Sequence, residues 1–173
     1  MTATDLAPAA KPRRIPNLKP HKRASIAAGL VGAAALGFVL YRGLNLDILF
    51  EQSAVIQIHV YAAVAAFILG SALLLARKGR AFHIRAGWAW VGLMSVTAGS
   101  SLFITGLNGS WWSWIHILSG LTLFTLPFAV MAARKHQVVR HRATMISLYV
   151  GGMLIAGGFT FLPGRLMWEI VFA

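Results

Sequence analysis

The chain contains an internal repeat built around two apolar stretches of membrane-spanning length. Each copy has a histidine, an arginine–lysine pair eighteen positions later, and a second histidine soon after: His59, Arg77–Lys78 and His83, then His116, Arg134–Lys135 and His141. At 1.5 Å per residue, eighteen residues form a helix of about 27 Å, close to the thickness of a bilayer's hydrocarbon core. The two histidines of each copy are therefore predicted to lie at opposite membrane faces.

The composition indicates an integral membrane protein. Of 173 residues, 58% are hydrophobic and 12% are charged, which is too apolar for an ordinary soluble domain. The net charge of +12 is unevenly placed: fourteen of the sixteen Lys and Arg residues lie before Ser25, within 77–85 or within 134–142. Cytoplasmic loops collect cations, so the N-terminus is predicted to be cytoplasmic, and nucleic acid is not expected as a partner.

The predicted fold class is all-α, an integral membrane protein with five transmembrane helices. The predicted spans are approximately 24–41, 53–76, 81–107, 111–133 and 143–162, which puts the C-terminus outside. The repeat units, 54–107 and 111–162, predict a four-helix bundle core of two helical hairpins, with the first helix peripheral. Residues 1–23 are predicted to be a disordered basic cytoplasmic tail, 24–162 the transmembrane domain, and 163–173 a short interfacial segment.

The four repeated histidines are candidate haem ligands. His59 and His116 lie near the outer ends of their helices and His83 and His141 near the cytoplasmic ends, so each face has a pair suited to bis-histidine ligation of one b-type haem. Small residues are expected to leave room: Gly120 and Gly87 one turn from ligands, and 99–101 and 156–158 at outer depth, with Gly70 and Ser71 at inner depth. Close helix packing uses the same small residues, and an interfacial histidine often only hydrogen-bonds a nearby backbone carbonyl.

Arginines flank the inner histidines. Arg85 and Arg142, with Arg80 and Arg140, are candidate partners for haem propionates through bidentate hydrogen bonds. Plain membrane topology also explains cations on these loops. The chain has no cysteine, so covalent haem attachment, iron–sulfur clusters and thiolate zinc sites are excluded. No nucleophile with a base, no paired carboxylates and no phosphate-cradling glycine loop is apparent, so no hydrolase or transferase site is predicted.

The sequence shows two resemblances, one in the motifs around the inner histidines and one in the order and spacing of the four histidines alone. The stretch 58–165, with His83-Ile84-Arg85-Ala86-Gly87 and the segment 141–149, resembles a bacterial family of small membrane proteins of unknown function. That family typically reads His-Arg-x-x-Met-x-Arg-Ser-Tyr in the second motif, and Ile146-Ser147-Leu148 departs from it. The ligand order is distantly similar to the ascorbate-reducible di-haem cytochromes b. That similarity implies an outer haem on His59 and His116 and an inner haem on His83 and His141.

The predicted function is a transmembrane electron carrier in the bacterial cytoplasmic (inner) membrane. It would bind two haem b groups and exchange electrons with a quinone or another redox partner, as a component of a membrane oxidoreductase. The alternative is a haem-free accessory subunit that stabilises a larger respiratory or photosynthetic complex through contacts with other membrane subunits. A small transporter is a third possibility, which is less favoured because no ionisable side chain lies near mid-membrane.

Overall fold

The computed structural model describes residues 19–105 and 113–172, with side chains from Lys22 onward. Every element in this part of the chain is helical. The elements are α1 (Lys19–Arg42), α2 (Asp47–Phe50), α3 (Ala54–Leu75), α4 (Ala81–Ser101), α5 (Trp114–Arg134), α6 (Val138–Leu148), a π-helical segment (Tyr149–Ile155), α7 (Ala156–Phe159) and α8 (Leu166–Phe172). The predicted turn at 108–110, Trp111, Trp112 and the tail before residue 19 lie outside the described residues.

Four helices of the described residues are long and apolar enough to cross a membrane. They are Lys22–Arg42, Ala54–Leu75, Trp114–Arg134 and Val138–Phe159, the last formed by α6, the π-helical segment and α7 together. The intervening α4 has 21 residues, so it is about as long, but His83 and Arg85 make its first turns more polar. The described residues therefore include four helices of membrane-spanning length and apolarity, and their apolar surface matches a bilayer environment.

Three helix boundaries differ from those predicted. α1 begins at Lys19 rather than Ala24, and α6 begins at Val138 rather than Ala143, so basic residues assigned to tail and loop extend both helices. Lys and Arg are good helix formers, and their long stems keep the charge in water while the backbone continues the helix. α4 ends at Ser101, and a turn takes over before the predicted end at Leu107.

Side-chain contacts place neighbouring helices antiparallel. The α3 and α4 pair is joined where the Trp90 indole Nε1–H donates to the Ala66 carbonyl at 3.0 Å. α5 joins α4 through the hydroxyls of Ser101 and Ser119. α1 packs along α3, and Ser25 Oγ of α1 donates to the Leu74 carbonyl of α3 at 3.3 Å. The packed helices therefore share two ends. We call one the basic end (76–85 and 134–142, with Lys22) and the other the opposite end (42–53 and 160–172).

Two aromatic side chains are buried at the centre of the interior. Tyr149 is 1% exposed and Trp90 is 3% exposed. Both pack on Gly70, where an added Cβ would lie 2.7 Å from Trp90 Nε1 and 2.7 Å from Tyr149 Cδ2. Phe67 stacks on Tyr149 with ring centroids 5.8 Å apart. The small residue at position 70 thus serves close packing of aromatic rings, which was one of the two interpretations open from the sequence.

A second, smaller cluster closes the opposite end. Ile170 and Val171 of α8 are buried against Leu49 of α2. The Asn45 backbone N–H donates to the Ile170 carbonyl at 2.9 Å, and the Arg42 guanidinium lies 5.3 Å from the Phe172 ring centroid. The C-terminal segment is therefore a helix docked onto the end of α1 by apolar burial and a cation–π contact.

Candidate functional site

His59 is fixed in one tautomer by α4. Its Nδ1 lies 3.0 Å from the Thr97 carbonyl oxygen and 3.1 Å from Ser100 Oγ. Because a carbonyl only accepts, Nδ1 carries the proton and donates it, and the neutral ring keeps its lone pair on Nε2. A backbone carbonyl holding Nδ1–H is the usual support of a metal-ligating histidine. This contact is the bond to a backbone carbonyl described by the alternative interpretation of an interfacial histidine, and it leaves the lone pair on Nε2.

A cavity of about 450 Å³ lies beside His59 in the half of the protein nearer the opposite end. This volume falls within the range of about 300–1,000 Å³ typical of small-molecule and cofactor sites. Its wall is mostly apolar, with contributions from α1, α3, α4, α5 and the segment 152–161. Ser101, Ala156, Gly157 and Gly158, four of the residues expected to leave room for an outer haem, line this cavity.

The Thr97 and Ser119 hydroxyls of the cavity wall donate to carbonyls of their own helices. Thr97 Oγ1 donates to the Leu93 carbonyl at 2.9 Å, and Ser119 Oγ donates to the Ile115 carbonyl at 2.8 Å. Because these hydroxyl protons are already used, the side chains offer few groups that could bind a polar ligand. The His59 imidazole is therefore the strongest polar anchor of the cavity.

His116 is held differently from His59. Its Nδ1 accepts a hydrogen bond from the Ser113 backbone N–H at 3.2 Å, in the first turn of α5. A neutral imidazole that accepts at Nδ1 carries its proton on Nε2, so its one in-plane lone pair is already engaged by the Ser113 N–H. Ile115 and Ser119 from the same turns line the cavity, whereas His116, 5% exposed, is not among the lining residues. The predicted outer pair is therefore only half prepared for ligation.

The two remaining histidines share the basic end. His141 Nδ1 lies 3.0 Å from the Ala129 carbonyl of α5, so this ring also donates from Nδ1 and keeps its lone pair on Nε2. His83 is close enough to His141 and Lys78 to interact with both electrostatically. Its Nδ1 is buried and has no hydrogen-bond partner in the described part of the chain. The fold thus brings the predicted inner pair to one region.

The predicted propionate arginines lie in different surroundings. Arg85 is exposed on α4. Arg80, which precedes α4, and Arg140 of α6 are exposed as well. Arg142 is partly buried and lines a second cavity at the basic end with Lys22, Arg77 and Lys78. No group of three or more His, Cys, Asp or Glu side chains suited to a metal ion occurs within 19–105 and 113–172. Iron in a porphyrin needs only two axial ligands, so pairs are the relevant arrangement.

Sequence reasoning missed the polar link between α3 and the π-helical segment. Tyr149 OH lies 2.5 Å from Ser71 Oγ, and Ser71 Oγ itself donates to the Phe67 carbonyl at 2.9 Å. Because the serine proton is used on that carbonyl, the tyrosine is the donor. The signal was present, since Tyr149 closes the second His-Arg motif. The Tyr149 side chain, held by this hydrogen bond, occupies space at inner depth that Ser71 was expected to leave open.

Comparison with known proteins identifies one relationship. No curated protein and no solved structure matches this chain. A family model described as "Predicted membrane protein (DUF2306)" matches residues 56–169. The match covers about two thirds of the sequence, including all four repeated histidines and every helix from α4 to α7. The chain therefore belongs to this family of predicted membrane proteins, DUF2306.

Proposed function

We propose that this protein is a transmembrane electron carrier that binds non-covalent b-type haem through histidine. The observation that carries the proposal is His59: it lines a cavity of about 450 Å³, and the Thr97 carbonyl holds its Nδ1–H so that Nε2 is the metal-binding atom. Haem bound there would supply one-electron transfer within the apolar part of the membrane. The protein supplies ligation, burial and position.

The proposal includes five membrane spans. α4 has 21 residues, or about 31 Å, and packs antiparallel between α3 and α5. With α4 counted, the two repeated hairpins form the four-helix core and α1 flanks α3 and α6. The positive-inside rule then puts the basic end and the N-terminus in the cytoplasm of a bacterium and the C-terminus outside the inner membrane.

The residues around the cavity fit a haem with one adjustment. His59 is ready to ligate, and the small residues Ala156, Gly157 and Gly158 line the cavity and leave room in its wall. His116 must release the Ser113 N–H to offer a nitrogen lone pair toward the cavity. One hydrogen bond of net worth about 0.5–1.5 kcal/mol is a small cost against an iron–imidazole bond.

An inner haem would use His83 and His141 close to the basic end. His141 already has its lone pair on Nε2, and Gly87, one turn beyond His83, has open space around it. Trp90 and Tyr149 fill the layer above, so this haem would lie nearer the membrane surface than the outer one. Arg85 and Arg142 are the cations within reach of its propionates, and a quinone or soluble partner could exchange electrons at that edge.

A second candidate is a haem-free accessory subunit of a larger membrane complex. The observation that favours it is the packed aromatic layer, since Trp90 and Tyr149 occupy the centre and pack closely on Gly70. The surface of α1 also exposes large apolar side chains, including Leu30 and Leu40 at 57% and 62% exposure. Lipid covers such a surface in a single-chain carrier, and a partner helix covers it in a complex.

The test is haem content and the reduced-minus-oxidised spectrum of the protein purified in detergent. Wild-type protein is expected to show b-type haem, His59→Ala to lose the outer centre, and His83→Ala to retain it. His136→Ala, a loop histidine exposed at the basic end, is the matched control and is expected to keep the wild-type spectrum. A colourless preparation that added haem does not colour would eliminate the carrier. Copurification with a fixed set of subunits would then support the accessory role.

A further inference from the structure

The basic end contains a second cavity, of about 350 Å³, of whose lining residues the electron-carrier proposal uses only Arg142. It lies where the start of α1, the turn after α3 and the first turns of α6 meet. Four cationic side chains line it, together with Ser25, Ile26, Leu75 and Ala76; the cations are Lys22, Arg77, Lys78 and Arg142. These residues come from three separate parts of the chain, so the fold assembles this basic cavity.

The positive charge of the basic cavity has no carboxylate to neutralise it within residues 19–105 and 113–172. The three acids in that part, Asp47, Glu51 and Glu169, lie at the opposite end of the helices. Partial burial lowers the pKa of the Lys78 ammonium, and repulsion from Arg142 and then Lys22 lowers this pKa further. The cations are thus held close together at an electrostatic cost, which a bound anion would relieve.

Lys78 is positioned by the end of α3. Its Nζ donates to the Leu74 carbonyl, which also accepts from Ser25 Oγ at 3.3 Å. This contact fixes the ammonium group at the helix C-terminus, where a cation is favoured, and leaves further Nζ–H donors available. Arg142 contributes a planar guanidinium that can bind two oxygens of one phosphate group.

The rim of the basic cavity is apolar on the side of the helices. Ile26 and Leu75 are 40% and 44% exposed, and Leu30, one turn further along α1 on the same face, is 57% exposed. Acyl chains attached to a phosphate group in the cavity would therefore meet the exposed apolar side chains of α1 and of the end of α3. Free phosphate would use only the cations, whereas a phospholipid would use both the cations and this rim.

We propose that the basic cavity binds the phosphate headgroup of an anionic phospholipid whose acyl chains lie along α1 and α3. The lipid would bridge α1 to α3 and α6 and fix the first helix against the rest of the protein. This role does not depend on haem, because the cavity lies outside the His59 site and its ligand is recognised by charge and apolar contact alone.

The experiment is native mass spectrometry of the delipidated full-length protein titrated with phosphatidylglycerol or phosphatidylcholine of equal chain length. Wild-type protein is expected to retain one phosphatidylglycerol in preference to phosphatidylcholine. Each cation near anionic lipid contributes about a fivefold gain in affinity, so the double variant Lys78→Gln/Arg142→Gln is expected to weaken retention roughly twenty-five-fold. Lys135→Gln/Arg140→Gln removes two exposed cations from the same end and is the charge-matched control, with retention unchanged.

Three results would overturn this inference. Equal losses in the two double variants would mean that general surface charge attracts the lipid. Equal retention of phosphatidylglycerol and phosphatidylcholine by the wild type would show that the cations do not select the headgroup. Displacement of the lipid by millimolar inorganic phosphate would identify a free-phosphate site. Arg142→Lys, which keeps the charge, is expected to retain the lipid and guards against loss of folding in Arg142→Gln.

Discussion

Replacing Gly70 with alanine tests whether aromatic packing holds the centre of the protein together. An added Cβ at this position would lie 2.7 Å from Trp90 Nε1 and 2.8 Å from Tyr149 Cε2, and both side chains are buried. Real Cβ atoms do not approach neighbours so closely, so the rings or the helices must move. Such overpacking costs about 1–3 kcal/mol.

The expected size of the effect follows from two opposing contributions. In a helix interior, alanine is favoured over glycine by about 1 kcal/mol. Gly70→Ala should therefore destabilise by a net 0 to about 2 kcal/mol, which lowers the melting temperature by up to about 8 °C for a chain of this length. Gly92, in the interior of α4, has nothing within 4 Å of an added Cβ. Gly92→Ala should stabilise by about 1 kcal/mol, or raise the melting temperature by about 2–4 °C.

The assay is thermal unfolding in detergent followed by circular dichroism, with both variants and the wild type in the same buffer. The informative quantity is the difference between the two glycine variants, about 1–3 kcal/mol, because helix propensity cancels in it. If Gly70→Ala stabilised the protein as much as Gly92→Ala, then Trp90 and Tyr149 would not pack against α3 and the described interior would be wrong.

Two further predictions concern single contacts. Tyr149→Phe removes the hydrogen bond to Ser71 Oγ but keeps the ring, so the free energy of unfolding should fall by about 0.5–1.5 kcal/mol; an unchanged melting temperature would argue against the bond. His136 ends α5 with φ of 53°, a left-handed conformation that favours glycine, so His136→Gly should stabilise by up to about 1 kcal/mol. At Lys135, where φ is −85°, the same change to glycine should destabilise by about 0.4–1 kcal/mol, and equal signs at the two positions would contradict the assigned end of α5.

The long helices could be predicted from the repeat because helix formation in a membrane depends on the local sequence. Apolar stretches bounded by cations must become helices in a bilayer, where backbone groups have no water to bond. The start of α6 was predicted five residues late, because the sequence of Val138–Arg142 is polar and resembles a loop, whereas the structure continues it as helix. The π-helical segment around Gly151 and Gly152 was not predicted, since no local rule distinguishes it from an α-helix.

The candidate site was predicted only in part. The repeat makes His59 and His116 look equivalent, yet one ring donates to a carbonyl across to α4 and the other accepts from the N–H at the start of its own helix. Which nitrogen keeps a lone pair depends on the atom opposite it, and for His59 that atom belongs to a residue 38 positions away in the chain. Gly70 is a similar case, since the same glycine suits a cofactor or an aromatic ring until its neighbours are known.

The sequence by itself determined a helical membrane protein with histidines near both ends of its helices. Span length, apolarity and the placement of cations are local properties, and each of them directly affects how a segment partitions between water and lipid. Only the tertiary structure decided which nitrogen of each histidine is hydrogen-bonded, where the two cavities lie, and that Tyr149 and Trp90 fill the layer between them. These features depend on contacts between residues far apart in the chain. Packing against specific neighbours, rather than residue type, sets tautomer, open volume and unneutralised charge.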